Sequence, residues 1–281
     1  ANGSLQWQKT FGGDWDDYAY SVQQTNDNGY IVAGGTKSFS PEWGPGDVDA
    51  YLIKTDSNGS LQWQKTFGGF RDDGVNSVQQ THDGGYILAG TTDSFGLGDV
   101  DTYLIKTDSN GNKQWEKTFG GEDYDIVYSV QQTNDNGYIL AGMTNSFGAG
   151  SFDAYLIKTD SNGSLQWQEI FGGRTSTEWI FSVQQTNDNG YILAGLTGDI
   201  PLDTYLIKTD SNGSLQWQKT FGGSNIDWGH SVQQTNDNGY IVAGATESFG
   251  LGNNDVYIIK TDSNGNLQWQ KTFGGDWDDY A

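Results

Sequence analysis

The sequence contains no cysteine, one methionine, three prolines and two histidines among its 281 residues. Without cysteine the chain forms no disulfide, no thiolate metal site and no thiol nucleophile. Basic residues are also scarce, because 14 lysines and arginines stand against 36 acidic residues, which gives a net charge of −22. A field of this sign repels phosphate groups, so we expect no nucleic acid partner.

Long apolar runs are missing as well. No stretch approaches the roughly 18 apolar residues that a membrane-crossing helix requires, so we expect no membrane insertion. No window shows the apolar spacing of an amphipathic helix, which predicts a chain without helices. The abundant residues are instead 41 glycines, 15 tyrosines, 13 phenylalanines and 11 tryptophans. This composition is typical of short aromatic strands joined by tight turns.

The chain contains five tandem copies of one repeat unit, with a period of about 52 residues. Tryptophan recurs in the same phase, at Trp7, Trp63, Trp115, Trp167, Trp217 and Trp269. The triplet Phe-Gly-Gly begins at six places, namely Phe11, Phe67, Phe119, Phe171, Phe221 and Phe273.

Each unit reads as four short strands. In the second unit they are predicted at 77–81, 86–90, 102–107 and 113–119, separated by turns rich in Asn, Asp and Gly. Four antiparallel strands in about 50 residues are typical of a propeller blade. The sequence therefore predicts an all-β, five-bladed β-propeller with four antiparallel strands per blade, forming a single domain over residues 1–281.

The two ends of the chain duplicate each other. Residues 1–19 match residues 263–281 at 17 of 19 positions. This predicts a duplicated terminal outer strand, in which segments 1–13 and 263–275 compete for one place. One copy then closes the ring, while the other is free or pairs with a neighbouring molecule, which would give self-association through either segment. The other interpretation is a boundary within a longer array of repeats.

Two phrases carry a resemblance to a known repeat class. They are DAYLIKTDSNGSLQWQKTFGG at residues 49–69 and SVQQTNDNGYIVAG at residues 21–34. The pattern resembles a blade repeat of secreted and cell-surface β-propeller proteins of bacteria and archaea, and it covers the whole chain. The resemblance implies an extracellular or cell-surface location, but it implies no particular reaction.

The repeats differ from one another mainly in two loops, the stretch after Phe-Gly-Gly and the loop before the third strand. Both loops belong to one face of a blade, where we expect any ligand site. Aromatic rings in or beside these loops suit the C–H face of a sugar, although they also suit wedges between blades or protein contacts. The candidate ligand-binding residues are Trp15, Trp43, Phe70, Tyr124, Trp179 and Trp228.

Carboxylates also recur in every unit. One series precedes Ser-Val-Gln-Gln, and a ring of such groups would suit calcium, the only cofactor that we consider, although capping of backbone N–H groups at blade junctions is the stronger interpretation. A second series precedes the third strand, at Asp49, Asp101, Asp153, Asp203 and Asp255. The candidate metal ligands are Asp17, Asp73, Asp125, Glu178 and Asp227.

These observations favour a non-catalytic extracellular binding or scaffold propeller, with carbohydrate as the favoured ligand and a glycan or another surface protein as the partner. One alternative is a purely structural surface repeat that assembles through its terminal strands. A second is a five-bladed glycoside hydrolase, for which Glu42 and Glu122 are the acids with a distinctive setting.

Overall fold

The computed structural model describes residues 3–40 and 47–279. Within these ranges every regular element is a β-strand, and twenty strands form five four-stranded antiparallel sheets. Each sheet contains four strands in chain order, so every unit of the repeat folds as one meander. The predicted all-β class with five blades of four antiparallel strands is confirmed.

The strands follow the repeat closely. Sheet 1 contains β1 (Asp17–Gln24), β2 (Tyr30–Thr36), β3 (Asp49–Thr55) and β4 (Leu61–Phe67). Sheet 2 contains β5 (Asp73–Gln80), β6 (Tyr86–Thr92), β7 (Asp101–Thr107) and β8 (Lys113–Phe119). Sheet 3 contains β9 (Asp125–Gln132), β10 (Tyr138–Thr144), β11 (Asp153–Thr159) and β12 (Leu165–Phe171). Sheet 4 contains β13 (Thr177–Gln185), β14 (Tyr191–Gly198), β15 (Asp203–Thr209) and β16 (Leu215–Phe221). Sheet 5 contains β17 (Asp227–Gln234), β18 (Tyr240–Thr246), β19 (Asp255–Thr261) and β20 (Leu267–Phe273).

The chain divides into two compact units, residues 1–126 and residues 127–281. Unit 1 contains sheets 1 and 2, and unit 2 contains sheets 4 and 5 and nearly all of sheet 3. The single domain over residues 1–281 stays a prediction.

Within each unit, neighbouring sheets pack face to face through their middle strands. In unit 1, Ile31, Ala33 and Leu52 of sheet 1 form one core with residues of sheet 2. Their partners on sheet 2 are Val75, Val78, Tyr86, Leu88, Tyr103 and Ile105. The middle strands are apolar on both sides, and within a unit the face that meets the next sheet is removed from water. Burial of a large apolar side chain in this way stabilises the fold by about 1.5–3 kcal/mol.

The repeated tryptophan of the fourth strand meets the repeated tyrosine of the next sheet. The ring centroids of Trp63 and Tyr86 are 5.8 Å apart at 62°. In unit 2 the pair Trp167 and Tyr191 is also 5.8 Å apart, at 61°. Such edge-on contacts stabilise the packing beyond the burial of apolar area. The tryptophan recurs once per repeat because it packs against the tyrosine of the next sheet.

A buried lysine holds together the two turns at one end of each sheet. Lys106 is 3% exposed, and its Nζ donates hydrogen bonds to Asp83 Oδ2 at 2.9 Å and to the Thr107 carbonyl at 2.8 Å. It also donates to Gln114 Oε1 on the fourth strand at 3.3 Å. The same pair recurs in every sheet, as Lys54–Asp27, Lys158–Asp135, Lys208–Asp188 and Lys260–Asp237.

These lysines lower the pKa of their aspartates. Hydrogen bonds from Lys54 and Thr25 lower the pKa of Asp27 from 3.8 to about 2. Burial opposes ionisation of Asp83, but hydrogen bonds from Thr81 and Lys106 outweigh it and hold its pKa below the ordinary value. A carboxyl whose folded pKa is depressed stabilises the fold above its unfolded pKa and loses that contribution as the pH falls.

We expect Asp83→Asn to lower the free energy of unfolding by about 1–3 kcal/mol at neutral pH, because it leaves the buried Lys106 ammonium without its counter-charge. The difference from the wild type should shrink as the pH falls below the ordinary aspartate pKa of 3.8. Urea denaturation across this pH range measures both effects.

The matched control is Arg71→Ala, which removes a mostly exposed pair with Asp93 at 3.6 Å. It should cost less than about 1 kcal/mol. Equal losses for the two variants would contradict the role assigned to the buried lysines.

The terminal duplication gives two different structures. Residues 267–273 form β20, whereas the identical residues 5–11 form no strand. The difference lies in the ladder, because residues 267–273 pair with β19. Residues 3–13 nevertheless lie against sheet 1, where Trp7 packs 5.6 Å from Tyr30 and donates from Nε1 to the Ser57 carbonyl at 3.2 Å.

Candidate functional site

The first half of each first strand carries residues that differ between repeats, whereas its second half is the constant Ser-Val-Gln-Gln. In sheets 1, 2, 4 and 5 its pairing register shifts at one residue just before Ser-Val-Gln-Gln. A β-bulge of this kind turns its side chain away from the regular alternation. The bulged residues are Tyr20, Asn76, Phe181 and His230, and Tyr128 holds the same sequence position in sheet 3.

In unit 2 these side chains form a continuous group. Phe181 lies 5.4 Å from Tyr128 and 5.0 Å from His230, measured between ring centroids. Trp179 meets Phe181 edge-on at 6.4 Å, and Trp228 meets His230 edge-on at 6.2 Å. Phe152, from the loop before β11, meets Trp179 at 6.1 Å. We call these six residues the aromatic cluster: Tyr128, Phe152, Trp179, Phe181, Trp228 and His230.

The aromatic cluster has polar atoms within it. Trp228 Nε1 donates a hydrogen bond to His230 Nε2 at 2.6 Å. Burial lowers the pKa of His230, which favours the neutral imidazole that this bond requires. Trp179 Nε1 is buried and has no hydrogen-bond partner in the protein. A buried N–H donor without a partner costs free energy, so it is a place where a ligand oxygen would be stabilising.

The structure separates the aromatic residues that the sequence proposed. Trp179 and Trp228 lie in the aromatic cluster, on β13 and β17. Trp15, Phe70 and Tyr124 lie in unit 1 on exposed loops, and no ring contact joins them in the described part of the chain. Trp43 lies outside the described residues. The sequence analysis places the loop position and the strand position in one series, but among the described residues only the strand position brings rings together.

Sequence reasoning missed Tyr128, Phe152, Phe181 and His230. Three of the four occupy one position, the residue before Ser-Val-Gln-Gln, where four different residue types occur in the five repeats beside a constant motif. That contrast was the available signal. Unit 1 shows how far the position varies, because Tyr18 and Tyr20 stack at 6.4 Å in sheet 1, whereas sheet 2 carries Gly74 and Asn76.

The candidate metal ligands each begin a first strand, or lie next to its start, and bond within their own sheet. Asp73 Oδ2 accepts hydrogen bonds from Gly69 N at 2.7 Å and from Ser94 Oγ at 2.7 Å. Asp227 Oδ2 accepts from Gly223 N at 2.9 Å and from Ser248 Oγ at 2.6 Å. Asp17, Asp125 and Glu178 accept in corresponding ways, from Ser38, Gly121 and Thr197.

The two recurring series of carboxylates meet across the first glycine of Phe-Gly-Gly. A Cβ on Gly68 would lie 1.9 Å from Asp49 Oδ1 and 2.7 Å from Asp73 Oδ2. Gly222 is enclosed in the same way by Asp203 and Asp227, at 2.0 and 2.7 Å. In the described ranges these carboxylates come together in pairs, and no group of three or more His, Cys, Asp or Glu residues suits a metal ion.

Gly68→Ala should therefore destabilise unit 1 by about 1–3 kcal/mol, because its methyl group would overlap both carboxylates. Gly74→Ala in the same unit is the control, since the nearest heavy atom to its new Cβ would be Thr91 Oγ1 at 3.8 Å. Chemical denaturation monitored by tryptophan fluorescence compares them. Indistinguishable midpoints would show that the carboxylates move aside without cost.

In some of these pairs, burial makes one carboxyl group resist ionisation. It raises the pKa of Asp203, and the nearby Asp227 charge raises it further. Burial likewise raises the pKa of Glu178, with a smaller contribution from Asp153. A raised folded pKa means that the protonated form stabilises the fold, and this contribution is lost as the pH rises through the folded pKa.

Asp203→Asn should raise stability at neutral pH and weaken its decline above pH 4, because the amide mimics the protonated carboxyl. Thermal melting from pH 4 to pH 8 measures this. Melting with calcium tests the candidate metal role of Asp227, the partner of Asp203 across Gly222. A bound ion would make the wild type gain stability with calcium and the variant gain none, whereas unchanged melting of both supports pairs that only resist ionisation.

Unit 2 also contains two polar pockets between sheets, beside the buried lysines. Their volumes are about 490 and 770 Å³. The first is bounded by Trp167 and Tyr191 with Asn212, and the second by Trp217 and Tyr240 with Asn264. Aromatic walls with amide groups also suit polyhydroxylated ligands. A binding experiment therefore has to distinguish these pockets from the aromatic cluster.

No protein-family model matches the sequence, and no curated protein matches it either. Among solved structures, the chain is similar to BamB from Moraxella catarrhalis, with 14% identity and a TM-score of 0.51 over 95% of this chain and 67% of that one. It is similar to a protein of unknown function from Dyadobacter fermentans, with 11% identity and a TM-score of 0.56 over 91% and 82% of the two chains.

It is also similar to the Pan2 WD40 domain of Neurospora crassa, with 13% identity and a TM-score of 0.54 over 91% of this chain and 66% of that one. WD40 repeats are blades of β-propellers. The likeness shows the fold alone: the repeated four-stranded sheets are propeller blades. None of the described residues forms a helix long and apolar enough to cross a membrane.

Proposed function

We propose that this protein is a non-catalytic extracellular binding or scaffold propeller, and that the aromatic cluster of unit 2 binds carbohydrate. The observation that carries the proposal is the row of rings on consecutive first strands, with an indole N–H that has no partner. The row occupies a position that varies between repeats, whereas the surrounding motif is constant. Variable residues on a constant scaffold are typical of binding sites.

The chemistry of the aromatic cluster fits a sugar better than a charged ligand. Half-buried rings offer flat apolar area for the C–H face of a pyranose. The Trp179 N–H can donate to a sugar hydroxyl, and neutral His230 adds no charge. With a net charge of −22 the protein disfavours polyanions. The ligand we expect is therefore a neutral or weakly charged glycan, presented alone or on another surface protein.

The extracellular or cell-surface location is part of the same proposal. It is supported by the resemblance of the repeat to secreted propellers and by the absence of cysteine, which is compatible with such proteins. The glycoside hydrolase is the weaker alternative. Glu122 lies on an exposed loop, and Glu42 lies outside the described residues.

A glycan-array screen followed by titration of a hit tests the proposal. Trp179→Phe keeps an aromatic ring but removes the N–H, so we expect roughly tenfold weaker binding. Phe181→Ala removes the central ring and should weaken binding further. Trp277→Phe is the matched control, because Trp277 is 85% exposed and lies outside the aromatic cluster. It should change fluorescence but not affinity.

Other outcomes would contradict the proposal in distinct ways. If Asn212→Ala with Asn264→Ala abolishes binding and Trp179→Phe does not, the glycan occupies the polar pockets. Release of reducing ends from a bound glycan would show an enzyme. A blank array with unchanged tryptophan fluorescence would favour the purely structural repeat.

A further inference from the structure

The loop before the third strand is shorter in sheet 4 than in the other sheets. It spans residues 198–202 between the paired Thr197 and Asp203, whereas the corresponding loops of sheets 2, 3 and 5 span residues 93–100, 145–152 and 247–254. The shorter loop lacks a Ser-Phe pair that every other sheet carries just after its second strand. These pairs are Ser38 with Phe39, Ser94 with Phe95, Ser146 with Phe147 and Ser248 with Phe249.

The phenylalanine of this pair packs on the tyrosine of the third strand. The ring centroids of Phe95 and Tyr103 are 5.8 Å apart, and those of Phe249 and Tyr257 are 5.6 Å apart. Sheets 1 and 3 have the same contact, at 5.5 and 5.9 Å. A ring at this place is therefore a regular part of the sheet, and the sequence of sheet 4 does not supply it.

The phenylalanine ring also lies beside the second glycine of the preceding Phe-Gly-Gly. A Cβ on Gly69 would meet Ser94 Oγ at 2.9 Å and the Phe95 ring at 3.1 Å. A Cβ on Gly173, the corresponding glycine before sheet 4, would meet Ser176 Oγ at 2.7 Å and no aromatic ring within 4 Å. Ser176 thus takes the place of the serine, but none of the described side chains takes the place of the phenylalanine ring.

A pocket of about 600 Å³ lies at this place in unit 2. Its wall contains Tyr205, which corresponds to Tyr103 but has no ring contact in the described part of the chain. Ile200 of the short loop is 88% exposed and does not line the pocket. We call this pocket the loop pocket, with Phe171, Glu178, Thr197, Tyr205, Gln218 and Thr220 in its wall.

The acid in the wall of the loop pocket has an unsatisfied oxygen. Glu178 is 3% exposed, and its Oε1 accepts a hydrogen bond from Thr197 Oγ1 at 2.8 Å. Its Oε2 is buried and has no hydrogen-bond partner among the described residues. A buried acceptor without a donor costs free energy, so a donor on a ligand would be stabilising there. Glu178 is also a glutamate in a series whose other members are aspartates, so the fourth repeat differs at this acid as well as in the loop.

The charges around Glu178 favour a cationic donor. A Cβ on Gly172 would lie 1.8 Å from Asp153 Oδ1 and 2.6 Å from Glu178 Oε2, so two carboxyl groups face each other across this glycine. Lys219 also lines the pocket, but its charge interacts with Asp262 in the turn between β19 and β20. An ammonium group at Glu178 would offset the repulsion between the two carboxylates. The net charge of −22 also attracts cations.

We propose that the loop pocket binds a small arylalkyl amine, with its ring against Tyr205 and its ammonium group paired with Glu178. The ring takes the place that phenylalanine has in the other sheets, and the ammonium group supplies the donor that Oε2 lacks. A cavity with the shape of an absent ring accepts a ring-shaped ligand, because the ligand restores the contacts of its walls. The proposal does not depend on carbohydrate binding at the aromatic cluster.

Isothermal titration calorimetry with phenethylamine tests the proposal. We expect a dissociation constant on the order of 0.1–1 mM for a ligand of this size. Butylamine lacks the ring, 2-phenylethanol lacks the charge and phenylacetate reverses it, so each should bind roughly tenfold more weakly or worse. Absence of phenethylamine binding at millimolar concentration would overturn the proposal, and equal affinity for 2-phenylethanol would overturn the pairing with an ammonium group.

A loop exchange tests the place of the ring. Replacing residues 198–202 by the sequence of residues 93–100 restores the Ser-Phe pair, so phenethylamine binding should be lost. The matched control is the same exchange with alanine in place of that phenylalanine, which keeps the longer loop, reopens the pocket and should recover binding. Equal affinities of the two exchanged proteins, including loss of binding by both, would overturn the place assigned to the ring.

Glu178→Gln tests the partner of the ammonium group. The amide keeps the size of the side chain but removes its charge, so phenethylamine should bind roughly tenfold more weakly and 2-phenylethanol should bind as it does to the wild type. Glu122→Gln, at an acid on an exposed loop, is the control and should leave both affinities unchanged. Thermal melting confirms that each variant is folded. An unchanged affinity of Glu178→Gln for phenethylamine would overturn the role of Glu178.

Discussion

A sheet with apolar residues on both faces must be covered on both faces, and the rest of this structure depends on that constraint. The middle strands read Tyr-Ile-Leu-Ala-Gly and Tyr-Leu-Ile-Lys, so neither face of a sheet can remain in water without cost. Within each unit the next sheet supplies the cover, and Trp63 and Tyr86 illustrate how each joint is fixed edge-on.

Polar residues fix the conformation of the turns and loops at the ends of the sheets, where no apolar core holds them in place. The Lys106 ammonium is buried only because Asp83 and a carbonyl group satisfy it, which fixes two turns relative to each other. At the opposite end, Asp49 and Asp73 enclose Gly68 so closely that no side chain fits between them. The buried lysine with its aspartate and the two carboxylates around the glycine require particular residues, so these motifs are the same in every repeat. They place no such requirement on the bulged residue of the first strand, which varies. Function is therefore expected at that residue rather than at the repeated acids.

The sequence was informative where a property repeats with the period. Strand order, turn positions and the burial of Trp63 follow from the local composition and from the position within the repeat. Each repeat forms the same sheet and packs against its neighbour in the same way. The candidate site was only partly predictable. Trp179 and Trp228 were identified, but they were grouped with Trp15 and Phe70. Trp179 and Trp228 lie three residues before Ser-Val-Gln-Gln, on the first strand, whereas Trp15 and Phe70 lie in the preceding loop, and a comparison of loops alone does not separate these two positions.

What the sequence determined by itself is the blade: four antiparallel strands, apolar on both faces, with a lysine and two carboxylates at fixed places. This follows because hydrogen-bonded ladders and turn chemistry are local along the chain. Only the tertiary structure decided which varied side chains meet, as Phe181 meets Tyr128 and His230 across three sheets. It also decided that identical segments differ in conformation: residues 267–273 pair with β19, whereas residues 5–11 form no strand among the residues that the structure describes.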